Sequence, residues 1–295
     1  MLISENIGEK IKEIREYYGI SQKELCEGIC SQAYISRLEK GEINISADLL
    51  YLISKRLGVE LPFFFNHYNS PRSDYITMTI EEIRKSVRKR DYERADEMVS
   101  LELKNPLFRS HLEMKQFLLW HKGICAYHLQ KGIDKALFYL EEALDCSMTT
   151  NKSLSERDIE ILQSKAIILQ QSGRFEESKK IFDELLLSLT RNIYISDMKI
   201  NIRIYYNYAR LLVEMGLFDQ GIRTAEKGIN YAKSKELLYL QGDLYFQMAR
   251  CYNKMGEYKL AQDYYELAKY CYLLNNEKDL HELTTSVIDE ITEQV

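Results

Sequence analysis

The chain has 295 residues, 40 Lys/Arg against 45 Asp/Glu for a formal net charge of −5, three prolines, 13 glycines and 22 tyrosines. That length suffices for a small domain plus a larger array, and so few helix breakers favour long helices. The acidic balance excludes binding to nucleic acid through overall charge alone, and no run of roughly 18 uncharged apolar residues is present to cross a membrane.

The start, MLISENIGEKIKEIRE, has no basic segment leading into an apolar core, so no secretory signal is expected and the protein is expected to stay in the cytoplasm. The six cysteines, Cys26, Cys30, Cys125, Cys146, Cys251 and Cys271, form no CxxC and no cluster with histidine, which argues against a zinc site. Cys26 and Cys30 are four apart and read as small buried hydrophobes, with a redox pair as the alternative.

Residues 6–18 place Ile7, Ile11 and Ile14 on one stripe, with Lys10, Lys12 and Glu13 outside it, which predicts an amphipathic first helix ended by Gly19. Ser21 with Glu24 three residues later forms a capping box opening a second short helix, whose Leu25 and Ile29 face inward. Ser31 caps a third helix, Gln32–Lys40, with Ile35 and Leu38 inward and Gly41 as its stop. Gln32, Ala33, Tyr34, Ser36 and Arg37 are left near its outward, N-terminal end. A fourth helix is predicted from about Ser46 to Arg56, packed through Leu49, Leu50, Leu52, Ile53 and Leu57, and LGVELPFFF closes the core. Two short helices with a tight break between them, the second carrying small and polar side chains, suit a helix-turn-helix that lays one helix in the major groove. Gln pairs with adenine and Arg with guanine or a phosphate, so Gln32, Tyr34, Ser36 and Arg37 are the candidates for base edges and flanking phosphates. Residues 1–66 hold eight Lys/Arg against ten Asp/Glu, a net of −2, so affinity must come from locally placed donors, helix N-termini and dimerisation.

Asn, Ser, Pro and Asp cluster in residues 66–80 and mark a linker, taken as 67–80, with helix resuming near Thr79. Beyond it Gly173-Arg-Phe175, Gly216-Leu-Phe218 and Gly256-Glu-Tyr258 recur at separations of 43 and 40 residues. Ala166, Ala209 and Ala249 stand seven residues before each Gly, and Ser178, Gly221 and Ala261 five after it. Small residues there let paired helices approach closely, and the aromatic residue locks the turn between them. This is the tetratricopeptide signature with slightly long helices. Tyr92 with Ala95, and Ala136 with Ala143, mark two more degenerate units. The expected fold is all-α: a helix-turn-helix domain (1–66), a linker (67–80) and a tetratricopeptide-like superhelix (81–295) of about five helix pairs and a capping helix near Lys278–Thr292.

Such superhelices receive extended peptides in a concave groove, and an extended peptide needs side chains that both donate and accept. Three and two residues before the alanine landmarks lie Gln163 and Ser164, Tyr206 and Asn207, Phe246 and Gln247. Asn207 and Gln247 thus share a register position and are the candidate backbone anchors. Tyr206 and Phe246 either line a side-chain pocket or belong to the core. Gln170, Arg203, Arg210, Arg250 and Asn253 are weaker groove candidates. The run RKSVRKR, 84–90, is a solvated face or a cationic patch from which Arg88 and Arg90 reach a ligand carboxylate. The five histidines are scattered, and no GxSxG, P-loop or metal-ligand spacing occurs, so neither catalysis, a metal nor a cofactor is expected.

The pattern IGEKIKEIRxxxGISQKEL…SQAYISRLEKGE…LLYLISKRLGV resembles the XRE/Cro type of helix-turn-helix. That resemblance implies a Gln22–phosphate bond and a buried ion pair between Arg15 and Glu39. Fused to the repeats, with QFLLW at Gln116–Trp120, YYNYARLL at Tyr205–Leu212 and GDLYFQMARCY at Gly242–Tyr252, the chain resembles the RRNPP peptide-pheromone receptors of Gram-positive bacteria. The resemblance implies a cytoplasmic quorum-sensing transcription regulator, usually an activator. It would bind a short signalling peptide in the groove and a palindromic double-stranded DNA site as a homodimer. Asn207 and Gln247 fall on polar groove positions of that family, and Arg88 and Arg90 fall where it places paired lysines. Ile167 stands where the family offers a groove Asn, which implies a different cognate peptide. On this reading peptide binding selects one superhelical curvature and so sets how two DNA-binding units are spaced. The alternatives are the same DNA-binding head with a repeat domain that takes a protein partner, and a receptor whose repeats bind a response regulator.

Overall fold

The computed structural model describes residues 4–65, 71–109, 111–147, 154–190 and 195–292 and contains seventeen helices and no strand among them. The chain divides into two compact units, Met1–Ile80 and Glu81–Val295.

In the first unit α1 (Ser4–Tyr17), α2 (Gln22–Cys26), α3 (Gln32–Glu39), α4 (Ala47–Leu57) and α5 (Leu61–Phe65) enclose one core of Ile7, Ile11, Leu25, Cys26, Ile35, Leu38, Leu50, Ile53, Leu57 and Phe64. The starts of the helices are set locally. Ser21 Oγ accepts from Glu24 N at 3.2 Å while Ser21 N donates to Glu24 Oε2 at 2.7 Å, and Ser31 and Ser46 cap α3 and α4 through Tyr34 N and Leu49 N. The crossing of α1 over α3 is set by Gly8, where a Cβ would come within 2.0 Å of the Leu38 carbonyl oxygen.

Across the same crossing runs the Arg15–Glu39 pair. Arg15 Nε and Nη2 donate to the two carboxylate oxygens at 2.7 and 2.9 Å, Nη1 donates to Ile20 O at 3.0 Å, and the two side chains are only 10% and 4% exposed. Two residues depart from the predicted pattern. Lys10, expected outside, is buried, and its Nζ donates to Phe64 O at 3.2 Å because α5 folds over α1; burial lowers its pKa. Leu52, expected in the core, is 45% exposed, since Leu50, Ile53 and Leu57 already fill the inward stripe of α4.

Helix α6 (Pro71–Arg88) begins eight residues before the predicted restart at Thr79, so residues 71–80 of the expected linker are helical. The proline read as a breaker is a helix starter, because its missing N–H is one a first turn leaves unbonded anyway. Residues 67–70 of the predicted linker lie outside the described residues.

The second unit continues with α7 (Tyr92–Glu102), α8 (Pro106–Arg109), α9 (Leu112–His128), α10 (Ile133–Asp145), α11 (Glu156–Gln171), α12 (Phe175–Thr190), α13 (Lys199–Glu214), α14 (Phe218–Ser234), α15 (Gln241–Met255), α16 (Tyr258–Leu274) and α17 (Lys278–Thr292). Ala166, Ala209 and Ala249 are fully buried at the crossings inside three successive pairs, and Ser178 Oγ donates to Ala166 O at 2.7 Å. A Cβ on Gly221 would lie 2.9 Å from Cys251 Sγ. Gly173, Gly216 and Gly256 turn between paired helices at φ of +77°, +73° and +80°, a region that favours glycine. Helix α9 packs on α11, α11 on α13 and α13 on α15, whereas α10, α12, α14 and α16 make no comparable contact with one another among the described residues. The first helices therefore form the tighter, inner row and the second helices the outer one.

Two substitutions test the head. Gly8→Ala forces backbone away from backbone and is expected to cost about 1–3 kcal/mol, the usual range for overpacking. Glu39→Ala strands a buried guanidinium and is expected to cost about 3–5 kcal/mol. Both are read as lost amide-exchange protection confined to residues 7–57, with the α11–α16 amides unchanged.

Candidate functional site

On the head, Ser31 starts α3 so that Gln32, Ala33 and Arg37 are exposed and Ser36 is half-buried beside them. Arg37 Nε lies 3.5 Å from Glu42 Oε2 with both side chains about half exposed. Such a pair is worth about 0–1 kcal/mol, so the guanidinium is free to exchange this carboxylate for another acceptor. Tyr34 is differently placed. Its ring packs on the head's core and its hydroxyl donates to Asn44 O at 3.0 Å, making it a strut between α3 and the loop to α4. Gln22 is committed in part: its Nε2 donates to Glu39 Oε2 at 2.9 Å, leaving one amide hydrogen for a phosphate. The exposed face of α3 is thus Gln32–Ala33–Ser36–Arg37.

In the repeat unit the inner row carries a polar network from helix to helix. Trp120 Nε1 on α9 donates to Ser164 Oγ on α11 at 2.9 Å. Arg203 Nη2 on α13 reaches Glu160 Oε1 on α11 at 3.0 Å. Arg210 Nη2 donates to Gln170 Oε1 at 3.2 Å, and Gln170 Nε2 donates to Glu214 Oε2 at 2.8 Å. On α15, Arg250 Nη1 donates to Gln247 Oε1 at 2.9 Å. Asn207 is buried in this row, one Nδ2 hydrogen spent on Arg203 O of its own helix at 2.9 Å. Gln163 is 5% exposed and its Nε2 has no hydrogen-bond partner among the described residues; Arg157 Nη1 and Arg210 Nε share that condition. Unmet buried donors cost about 1–3 kcal/mol each, so a bound acceptor would gain by meeting them.

The two aromatic candidates part company. Tyr206 lies under the Arg210 guanidinium, 5.9 Å from its ring centroid, and burial raises the pKa of its phenol. Phe246 turns into the core below, edge-on to Tyr265 at 5.1 Å. Ile167, half-buried, packs on the core around Phe182 and Tyr208. Burial raises the pKa of Glu160 despite Arg203 beside it, and burial followed by the Glu277 charge pushes Asp243 on α15 up to about 6.

Arg88 and Arg90 are exposed, Arg90 in the α6–α7 turn with φ +60°, where its charge acts on Tyr92 and His128, stacked 4.0 Å apart. Phe117 on α9 instead carries two guanidinium groups, Arg84 from α6 and Arg157 from α11, whose carbons lie 5.5 and 5.4 Å from its ring centroid. Arg157, Trp120 and Glu160 are residues of the inner-row helices that the landmark spacing missed. A legible signal was present in the i, i+3, i+7 stripe Arg157–Glu160–Ser164 on α11. His121 sits beneath, its ring 4.1 Å from Phe117 and Nδ1 2.9 Å from Phe117 O; burial pushes its pKa down to about 3, so it adds no charge. Among the described residues no three His, Cys, Asp or Glu side chains gather to hold a metal ion, all six cysteines are free, and no helix is long and apolar enough to cross a membrane.

The raised Asp243 pKa has a definite sign. Between about pH 4 and 6 the folded chain holds a proton there that the unfolded chain has released, so stability from this group falls as pH rises through that window. Asp243→Asn is expected to gain on the unsubstituted protein from pH 4 to pH 7 in urea unfolding, with the difference flat above pH 7.

Comparison with known proteins agrees with this architecture. No curated protein sequence matches the chain. Among solved structures, PlcR of Bacillus thuringiensis in complex with the peptide PapR7 and DNA superposes with a TM-score of 0.80 at 23% identity, over 96% of this chain and 99% of that one. ComR of S. thermophilus, solved with DNA and its signalling peptide ComS, gives 0.64 at 19% identity over 97% and 99%. The SHP pheromone receptor Rgg2 of Streptococcus dysgalactiae gives 0.68 at 14% over 98% and 100%. At these identities the likeness is one of fold. A helix-turn-helix family matches residues 11–64 and the RNPP family C-terminal domain matches residues 80–285, so the chain belongs to the RNPP family, the RRNPP group its motifs resemble.

Proposed function

We propose that this protein is a peptide-responsive transcription regulator. Its α3 face reads double-stranded DNA, and its inner row of first helices binds a short signalling peptide. The observation that carries this reading is the set of buried donors on α11 and α13, Arg157 Nη1, Gln163 Nε2 and Arg210 Nε, that no group among the described residues meets. An extended peptide offers a carbonyl oxygen at every residue, and unmet donors on helices of the same inner row as Asn207 and Gln247 suit it. The similar solved structures support the same reading, since PlcR is bound to the peptide PapR7 and DNA and ComR to its signalling peptide ComS and DNA. The protein acts as a homodimer on a palindromic site in the cytoplasm, as an activator and without catalytic activity of its own. Dimerisation supplies the affinity that a head of net charge −2, eight Lys/Arg against ten Asp/Glu in residues 1–66, does not.

The test is selection of duplexes from a random pool by the full-length protein, followed by affinity measurement with and without synthetic peptides. A productive peptide is expected to change DNA affinity about 5–150-fold, the usual span of allosteric coupling. Arg37→Ala is expected to cost about 1–3 kcal/mol and relax one base position if Arg37 reads a base edge, or lower the salt slope by about one if it holds a phosphate. Tyr34→Phe is expected to lose about 1 kcal/mol of head stability while keeping the selected sequence. The same DNA affinity with every peptide tried would overturn the switch.

A further inference from the structure

We propose that Tyr206, Asp243, Tyr272 and Glu277 form a pH-sensitive joint between the inner row and the capping helix α17, one that holds the cap more firmly as the solution turns acidic. The joint belongs to the folded chain itself and does not rest on the peptide reading above. Four elements meet in it: Tyr206 comes from α13, Asp243 from the first turn of α15, Tyr272 from the last turn of α16 and Glu277 from the turn before α17. The fit is close. Tyr272 is 2% exposed, and a Cβ on Gly242, next to Asp243, would lie 2.8 Å from its ring. Glu277 N donates to Tyr272 O at 2.9 Å and Glu277 O accepts from His281 N at 3.0 Å, so this residue ties the end of α16 to the start of α17. The charge of Asp243 acts on both tyrosines, and that of Glu277 acts on Asp243 and Tyr272.

The two carboxylates go unneutralised, since neither forms an ion pair among the described residues. The cations on the elements around them are engaged elsewhere. Arg210 of α13 lies over the Tyr206 ring and donates to Gln170, Arg250 of α15 donates to Gln247, and Lys233 of α14 lies 5.8 Å from the centroid of the Tyr245 ring. On α16, Cys271 and Tyr272 keep their protons, because burial raises the pKa of each. Burial, then the Glu277 charge, outweigh the hydrogen bonds that Asp243 makes with backbone N–H and with Tyr272, and its pKa rises to about 6. Above that pH a charged Asp243 is held half-buried beside Glu277, and below it a proton removes both the burial cost and the repulsion. The capping helix is the element able to yield. Among the described residues it buries Thr284, Ile288 and Ile291, and a terminal element with few buried side chains opens locally well before the whole chain unfolds. Opening that frees Glu277 and wets Asp243 becomes easier as pH rises from about 4 through 6, and the effect levels off above about 7.

The experiment is amide hydrogen exchange on the purified protein at a series of pH values from about 5 to about 8, with each rate corrected for the intrinsic pH dependence of exchange. Protection of the α17 amides relative to those of α11 and α12 is expected to fall about three- to tenfold between pH 5 and pH 7.5 and then to level off. Asp243→Asn is expected to abolish the fall and to keep the cap at its acid-side protection throughout. Glu277→Gln removes one of the two charges from an exposed position and is expected to move the fall to lower pH, with unchanged helical circular dichroism. It tests the joint by itself if Asp243→Asn does not fold. A relative protection of α17 that stays constant over the whole range overturns the joint, as does a fall that Asp243→Asn retains or that Glu277→Gln leaves in place.

Discussion

The repeat unit depends on how closely the two helices of each pair can approach. A helix pair of this length cannot bury its apolar face alone, and stacking supplies the missing surface only if each pair is thin enough to admit the next. Ala166, Ala209 and Ala249 fill the crossings with a single methyl group, and Ser178, Gly221 and Ala261 answer them from the partner helix. Where the answering residue is Ser178, its hydroxyl donates across the crossing to Ala166 O at 2.7 Å, so small size and a satisfied hydroxyl coincide. The inner row of first helices follows from this, and with it every groove residue discussed above.

That inner row is polar yet largely self-satisfied. Glu160–Arg203, Gln170–Arg210 and Gln247–Arg250 are bonded within or between neighbouring helices, which fixes rotamers before any ligand arrives. Pre-ordered side chains cost a ligand less entropy than mobile ones. The few donors left over lie on α11 and α13. Binding at such a row draws on directional hydrogen bonds, and a ligand lacking an acceptor at the right place leaves a buried donor unmet, which favours selectivity over tightness.

The head solves a different problem with a different device. Its five helices are too short to define their own packing, and α1 meets α3 through a glycine and a buried bidentate ion pair. Burying an ion pair adds little to stability compared with apolar packing, but it fixes which turn of α1 sits over which turn of α3. Glu39 also receives Gln22 Nε2, so one carboxylate joins α1, α2 and α3. The angle at which α3 offers Gln32, Ser36 and Arg37 is set there.

Much of this was legible in the residues alone, because it rests on local physics. Capping serines, turn glycines and alanines at fixed offsets act within a few residues of themselves, and they locate the helices, the breaks between them and the repeat. The Arg15–Glu39 pair was reachable through the family pattern. Other features required the assembled chain. Lys10 has the sequence context of a solvated lysine until α5 closes over it, and Pro71 reads as a break until it opens α6. Tyr34, Gln22 and Phe246 look available on a helical wheel, yet each finds a partner inside its own unit. The shift from Arg88 and Arg90 to Arg84 and Arg157 has the same origin. Charge in a run is visible in sequence, but which charges converge on one aromatic ring depends on three helices that lie far apart in the chain and meet only when the repeats stack.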